Sequence, residues 1–339
     1  MKTLLFILFF IPLALSSQIK IEGHVYDESN APIFGASVYI DGSTMGTMTD
    51  EFGFFSIAIP TQSNAILVFR NMGYQTAFIE LKNLMSPFKI FLKEDVKELR
   101  EVVVEKSIFS RKQMLKLFKE QFLGKNAAGR NCIIENEEEL YFSFDKKSYE
   151  FFAYSDVPLT IKNNYLGYKV EYELQAFRCK LSRLSMNSDF VTNIQFAGNS
   201  LFTAIDNSEK TNKRRFKSFE GSTLHFFRNL VENKWDKKSF LLFKGSYKVN
   251  PNEHFNVTKL DNGTYKVQII SKSNSALKNK FFEQFNVLFD SKLQSKLLFH
   301  VSEFIVDYFG IYSNYNDILL SGDISTKRVG DLLPANYLK

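Results

Sequence analysis

Residues 19–105 alternate apolar and polar side chains in short runs that are separated by glycine-containing turns. The first runs lie at 21–26, 35–40 and 54–59. Alternation with a period of two places successive side chains on opposite faces of a strand, so each run has one apolar face. Glycine at the turns permits positive φ angles that other residues avoid. The pattern therefore predicts a small β-sandwich.

Three further apolar runs continue this pattern at 66–69, 76–79 and 88–92, and the alternation ends near Lys93. They bring the expected number of strands to seven and the module to roughly 75 residues, a size that can fold alone. We expect Gly73 to take a positive φ in a turn between two strands, with the ring of Tyr74 packed on the sheet.

The glycine spacing also carries a family resemblance. The motifs I-x-G-x-V-x-D from Ile21, G-A-x-V-x-I from Gly35 and G-T-x-T-D-x-x-G-x-F from Gly46, followed by Gly73 and Tyr74, resemble the carboxypeptidase regulatory-like domain. This resemblance implies a transthyretin- or immunoglobulin-like sandwich of seven strands. It also implies that the module is not itself catalytic.

The first seventeen residues have the organisation of a secretory signal. Lys2 supplies a positive charge, 4–15 an apolar segment and 14–17 a small-residue cleavage zone. The apolar segment is shorter than the ~20 residues that a spanning helix needs. We therefore expect an exported protein of the periplasm or the outer-membrane or cell surface, with peripheral membrane association left open.

The predicted organisation is a signal peptide at 1–17, the sandwich at 18–94, a charged linker at 95–106 and an α+β domain at 107–339. The fold class is mainly β, and the second domain combines an antiparallel sheet with two or more helices. One helix is expected from Ser107 or Ser110 to Leu123 and another over 219–232, because apolar residues recur there at helical spacing.

The second domain carries its own resemblance. The segments 122–124, 132–136, 165–168, 221–228 and 332–337 resemble the C-terminal part of exported Bacteroidetes proteins that pair it with such a sandwich. No activity is associated with those proteins, so the resemblance implies no functional residue.

Residues 99–104 resemble the segment that joins such sandwiches to the plug of TonB-dependent receptors. A receptor barrel of 22 strands at ~10 residues each needs over 200 residues beyond the plug. The rest of the chain cannot hold both, so the receptor interpretation fails and a docking role at such a receptor stays open.

Charge and cysteine content give weaker guidance. The formal net charge of +6 suits anionic surfaces or a solvated basic face, and export makes nucleic acid a poor partner. The two cysteines, Cys132 and Cys179, form either a disulfide or two buried thiols, and both alternatives stay open.

The sequence contains no complete catalytic or metal-binding motif, so we predict no catalytic residue, cofactor or metal. His300 and Glu303 have zinc-ligand spacing, but residues three apart on a strand point to opposite faces. One group is kept as a tentative anion contact: Ser222, His225 and Arg228, which share a face of the second helix. The alternative is a capped helix whose His and Arg bond neighbouring strands.

The sequence thus favours a non-catalytic envelope protein that binds or docks an envelope protein or glycan, with 101–104 as a candidate edge strand. One alternative is an envelope hydrolase with a site in the second domain. It would bring His225 or His254 together with a carboxylate; the candidates are Glu135, Glu138 and Asp206.

A second alternative is a polysaccharide-binding or accessory component of a TonB-dependent uptake system. It would expose Tyr26, Tyr39 and Tyr74 on one face of the sandwich. The oligomeric state is not predicted.

Overall fold

The computed structural model describes residues 18–60, 66–81, 87–95, 108–271 and 281–339. The predicted signal peptide and the valine-rich segment 101–104 lie outside the described residues. Within them the protein is mainly β, as the sequence predicts, and the α-helices lie in the second region.

Residues 18–92 form a sandwich of seven strands in two sheets. The strands are β1 (Gln18–Asp27), β2 (Ser37–Ile40), β3 (Gly46–Met48), β4 (Phe54–Pro60), β5 (Ile66–Arg70), β6 (Ala77–Glu80) and β7 (Phe88–Leu92). One sheet has the order β4-β1-β7 and the other β3-β2-β5-β6. β1 runs antiparallel to β4 and parallel to β7. The seven-strand prediction is confirmed.

Alternation builds the sandwich core. On β4, Phe55, Ile57 and Ile59 are buried, and the residues between them face outward or are half-buried. The turn before this strand needs glycine: Gly53 has φ +72°, and a Cβ there would lie 2.4 Å from the Val25 carbonyl oxygen. Local sequence therefore fixes both the strand and the turn that begins it.

The second region begins with α1 (Arg111–Phe122) and the short helix α2 (Ala127–Arg130), and α1 packs on a six-stranded sheet. Its strands are β8 (Cys132–Ile134), β9 (Leu140–Asp145), β10 (Glu150–Ser155), β11 (Leu159–Asn163), β12 (Tyr168–Leu181) and β13 (Val191–Ala204). α1 follows the predicted span: Ser110 and Gln113 form a capping box at its start. Its buried face includes Met114, Leu117, Phe118 and Phe122, the predicted stripe.

The rest of the second region has α3 (Glu209–Phe219), α4 (Thr223–Val231), α5 (Asp323–Thr326) and two antiparallel sheets. One sheet contains β14 (Phe240–Lys244), β15 (Tyr247–Lys248), β18 (Glu283–Phe289), β19 (Leu293–Phe299) and β21 (Ile318–Gly322). The other contains β16 (Phe255–Lys259), β17 (Tyr265–Ile269) and β20 (Glu303–Val306). The helix expected over 219–232 starts only at Thr223, because Gly221 has a φ of +67°, which a right-handed helix cannot include.

Three hydrophobic cores result, and the C-terminal tail touches two of them. Leu333 packs in the core of the six-stranded sheet, whereas Ala335 packs in the core of the sandwich. Phe309 also joins the sandwich core, although it follows β20 in the chain. The sandwich is therefore packed against the second region.

Candidate functional site

The outer face of the β4-β1-β7 sheet displays a row of aromatic rings. Val25 on β1 points into the core, so His24 and Tyr26 on either side of it point outward. Register sets His24 opposite Phe54 on β4 and Tyr26 opposite Phe91 on β7. We call His24, Tyr26, Phe54 and Phe91 the aromatic row.

Neighbouring rings in this row are in contact. The centroid distances are 5.3 Å for His24–Phe54, 6.0 Å for His24–Tyr26 and 5.8 Å for Tyr26–Phe91. Lys89 Nζ lies 5.5 Å from the centroid of Tyr26. Phe91 is 49% exposed, which is high for a residue in a strand with an apolar face. The face thus combines stacking surfaces with one cation.

The sequence prediction of exposed tyrosines is only partly right. Tyr26 belongs to the aromatic row, and Tyr74 packs beside the sandwich core and bridges Glu94. Tyr39 is fully buried, and burial raises the pKa of its phenol. The three do not share one exposed face. Sequence reasoning missed His24, Phe54 and Phe91, although their outward position follows from the alternation.

Tyr39 is buried because the outer face of the β3-β2-β5-β6 sheet packs on β12 and β13. Arg70 forms an ion pair with Glu171, and Thr76 Oγ1 donates to Glu173 at 3.1 Å. Asp41 Oδ1 accepts a hydrogen bond from the Ser200 amide at 2.8 Å. This face is an internal interface of the chain.

The turn 41–44 extends that interface through the backbone. The Gly42 amide donates to the Ser200 carbonyl at 2.7 Å, and the Phe202 amide donates to the Ser43 carbonyl at 2.9 Å. These bonds pair the turn with the edge of β13, and Ser43 and Leu201 form a parallel bridge. A loop of the sandwich therefore covers part of a strand edge that would otherwise attract another chain.

The C-terminal tail holds the same turn from the other side. The Ala335 amide donates to the Gly42 carbonyl at 2.6 Å, and Asn336 Nδ2 donates to Thr44 Oγ1 at 2.8 Å. The tail is in turn held by Arg228 on α4. Its Nη2 donates to the Ala335 carbonyl and its Nη1 to the Tyr337 carbonyl, both at 2.7 Å.

These contacts decide how Ser222, His225 and Arg228 are placed. Ser222 Oγ caps α4 by accepting from the His225 amide at 3.1 Å, and His225 Nδ1 accepts from the Gly221 amide at 3.2 Å. Arg228 Nε donates to the Phe309 carbonyl at 2.7 Å, so all three guanidinium nitrogens bind carbonyls. Ser222 thus caps α4 as the capped-helix alternative expects, but His225 and Arg228 bond a turn and the C-terminal tail rather than neighbouring strands. The anion contact stays a prediction.

Burial sets the charge states of this cluster. It lowers the pKa of His225 to about 4, helped by the nearby charges of Lys327 and Arg228. It also lowers the pKa of Arg228 to about 10. At neutral pH the imidazole is therefore uncharged and Arg228 keeps its charge.

The two cysteines are free thiols, so the disulfide alternative is not what the structure contains. Cys132 lies on β8 opposite Asn163, whereas Cys179 lies on β12 between Phe151 and Ile194. Burial raises the pKa of both thiols to about 12, which keeps them protonated and unreactive.

The arrangement expected for a hydrolase is not assembled around His225. The charged groups that shift the pKa of His225 are Lys327, Arg228, Glu232 and Lys234. Asp206 instead accepts hydrogen bonds from Ser208 and Thr211 at the start of α3. His254 is buried with its ring against Phe285.

Metal ligation finds no support in the described part of the chain. Glu303 pairs with Lys266 at 2.8 Å, and the ring of His300 packs against Phe282. Within 18–60, 66–81, 87–95, 108–271 and 281–339, no three His, Cys, Asp or Glu side chains are grouped to hold a metal ion. The same residues contain no helix with the length and apolar character to cross a membrane.

Comparison with known proteins concerns the sandwich. The TonB-dependent receptor SusC of Bacteroides thetaiotaomicron is 35% identical over 91 residues, which are 27% of this chain and 9% of the receptor. A TonB-dependent receptor of Formosa agariphila is 31% identical over 90 residues, which are 26% of this chain and 8% of the receptor. The chain thus spans less than a tenth of the length of either relative.

Among solved structures, a type II cohesin–X-dockerin complex of Acetivibrio cellulolyticus, a C-terminal interface mutant, matches at 21% identity and a TM-score of 0.19. That match covers 22% of this chain and 56% of the other chain. The family assignment rests instead on the sequence, because residues 21–104 match the CarboxypepD_reg-like domain family. The part of this protein that contains the sandwich is therefore similar to a carboxypeptidase regulatory-like domain.

Proposed function

We propose that this protein is a non-catalytic component of a bacterial cell envelope, and that its sandwich docks a protein partner through the aromatic row. The observation that carries the proposal is a row of four contacting rings on one sheet, with Phe91 and Lys89 exposed and the other three rings half-buried, while the other sheet is bound to the rest of the chain. Export through the segment 1–17 is part of the proposal.

The shape of the aromatic face favours a protein over a small ligand. The rings lie across three neighbouring strands, so the face is broad and follows the sheet, whereas small ligands prefer concave sites. Aromatic side chains are enriched among the residues that dominate protein–protein affinity. Lys89 beside Tyr26 favours a partner that brings a carboxylate to this face.

The relatives suggest where such a partner occurs. Both are TonB-dependent receptors, and each matches about a quarter of the length of this chain. We therefore place the docking partner in a TonB-dependent uptake system, in which this chain would be an accessory component.

We also propose the division into a signal peptide at 1–17, the sandwich at 18–94, a linker at 95–106 and an α+β domain at 107–339. The sandwich strands build one hydrophobic core, which Phe309 and Ala335 join, and two further cores lie within the second region, which supports the boundary between the two domains. The tail contacts of Ala335 would keep the two parts together.

The test is affinity capture from envelope extracts with the mature chain and a Tyr26→Ala/Phe91→Ala variant. The variant is expected to lose a captured partner at least tenfold, because truncating two central aromatic residues commonly costs ~1.4 kcal/mol or more. Phe52→Ala is the matched control, since Phe52 is 67% exposed on the turn before β4. Equal capture by the variant and the control would contradict the proposal.

A further inference from the structure

Two adjacent clefts flank Trp235, the one tryptophan of the chain. The first, of about 430 Å³, lies between the end of α4 and β16, and Tyr265 forms part of its wall. The second, of about 680 Å³, lies between β14 and the segment 248–252. Both volumes fall in the ~300–1,000 Å³ range of ligand sites. The clefts share four residues: Asn233, Trp235, Pro251 and Asn252.

The lining combines aromatic rings, amides and ammonium groups. Four asparagines line the two clefts: Asn233, Asn250, Asn252 and Asn256. Lys259 lines the first cleft, and Lys237 and Lys248 line the second. Asp236 is the one carboxylate in either lining, and its Oδ1 accepts from the Lys238 and Ser239 amides at 2.8 Å. The clefts are therefore rich in hydrogen-bond donors and carry a net positive charge.

The wall between the clefts is held in place by the fold. The indole of Trp235 meets Phe226 edge to face at 6.0 Å, and Phe226 is fully buried. The Lys234 amide donates to the Asn229 carbonyl at 2.8 Å, and Asn233 takes a left-handed φ of 52°. Asn233 is therefore the left-handed residue that ends α4, a position that asparagine often takes, and this cap fixes the backbone beside the indole.

We propose that the two clefts together bind an acidic oligosaccharide, with one sugar ring against Trp235. The C–H face of a sugar ring packs on an indole, and its hydroxyls exchange hydrogen bonds with side-chain amides. Carboxylate, sulfate or phosphate substituents would pair with Lys237, Lys248 and Lys259. Two clefts on either side of one indole fit adjacent sugars of a chain. This site is independent of the aromatic row, which faces outward from the sandwich.

Tryptophan fluorescence, excited at wavelengths that tyrosine does not absorb, gives a direct readout, because Trp235 is the one tryptophan of the chain. The full mature chain is titrated with uronate, sulfated and phosphorylated oligosaccharides, and with neutral cello-oligosaccharides of the same length. We expect a saturable change in emission with at least one acidic probe and at least tenfold weaker binding of its neutral counterpart. Binding that is equal for the neutral counterpart, or no saturable change with any acidic probe, overturns the proposal.

Variants separate the site from general charge attraction. Lys237→Ala and Lys248→Ala are each expected to weaken binding about tenfold, the loss of one charge-assisted hydrogen bond. Lys296→Ala removes the same charge from an exposed position on β19, outside the cleft lining, and should leave the affinity unchanged. Calorimetry with Trp235→Ala, checked for folding by circular dichroism, should show no binding. Equal weakening by the Lys296 variant, or binding that survives Trp235→Ala, contradicts the assignment.

Discussion

The two sheets of the sandwich meet different surroundings. The β3-β2-β5-β6 sheet is held to the second region by Arg70, by Thr76 and by the turn 41–44. The β4-β1-β7 sheet instead presents the aromatic row and Lys89 outward. Both sheets alternate in the same way, so local sequence alone does not separate them. What distinguishes the sheets is the surface that each one meets in the folded chain.

This difference assigns a role to each face. The attached face fixes the sandwich in one orientation, through a partly buried ion pair and backbone hydrogen bonds. The aromatic face keeps partly exposed rings that would stabilise a complex more than the free protein. A mutation on the attached face should therefore change stability, whereas a mutation on the aromatic face should change binding.

The largest effect is expected from Arg228→Ala, which removes the donors that hold the tail to α4. The buried carbonyls of Phe309 and Ala335 and the partly buried carbonyl of Tyr337 would lose their partner. We expect the free energy of unfolding to fall by about 3–5 kcal/mol, since each unsatisfied buried group costs ~1–3 kcal/mol. Urea unfolding measures this loss.

Arg130→Ala serves as the control for that experiment, because Arg130 is exposed at the end of α2. It should change the free energy of unfolding by no more than ~0.5 kcal/mol. A similar loss in both variants would show that the tail contacts do not hold the sandwich in place.

A smaller, pH-dependent change in the free energy of unfolding is expected from Asp41→Asn on the attached face. Burial raises the pKa of Asp41 to about 6 from an ordinary value of 3.8, while its oxygen accepts from the Ser200 amide. The folded state therefore binds the proton of the Asp41 carboxyl group more tightly than the unfolded state does. The stability gained from that proton is lost as pH rises from about 4 to about 6. Asparagine keeps the acceptor and has no charge to bury.

The variant should match the wild type below pH ~4 and exceed it by about 2–3 kcal/mol above pH ~7. Urea midpoints of both proteins across this pH range test the sign. Lower stability of the variant at neutral pH would mean that the carboxylate itself stabilises the interface.

The smallest stability effect is expected from Tyr26→Ala/Phe91→Ala. These rings are partly exposed, so their truncation should lower the free energy of unfolding by less than ~1.5 kcal/mol in total. Thermal unfolding of the variant beside Phe52→Ala measures this. A loss as large as that of Arg228→Ala would show that the aromatic row serves the fold instead of a partner.

Much of the fold could be predicted, because the local hydrophobic periodicity of the sequence determines most of its strands and its first helix. The seven strands follow from alternation, and α1 follows from its apolar stripe and the capping box at Ser110. α3 was missed as a helix because its buried residues are mainly polar. One of them, Arg215, is buried through hydrogen bonds to the carbonyls of Asp206, nine residues away, and of Leu166 and Gly167, which lie 49 and 48 residues away in sequence.

The candidate site was harder to predict for the same reason. The alternation correctly turns Tyr39 away from the sandwich core, but β12 and β13 then cover it. Nothing near Tyr39 in the sequence signals that covering surface. The clefts around Trp235 likewise bring together segments that are up to some thirty residues apart, including 233–237, 248–252 and Tyr265.

Hydroxyl-radical footprinting read by mass spectrometry tests the central claim most directly, since it measures the accessibility of individual side chains. In the free protein, Tyr26 and Phe91 should be oxidised readily and Tyr39 should be protected. In the captured complex, Tyr26 and Phe91 should become protected while Phe52 stays accessible. Rapid oxidation of Tyr39, or unchanged oxidation of Tyr26 and Phe91 in the complex, would contradict the assignment of one attached face and one binding face.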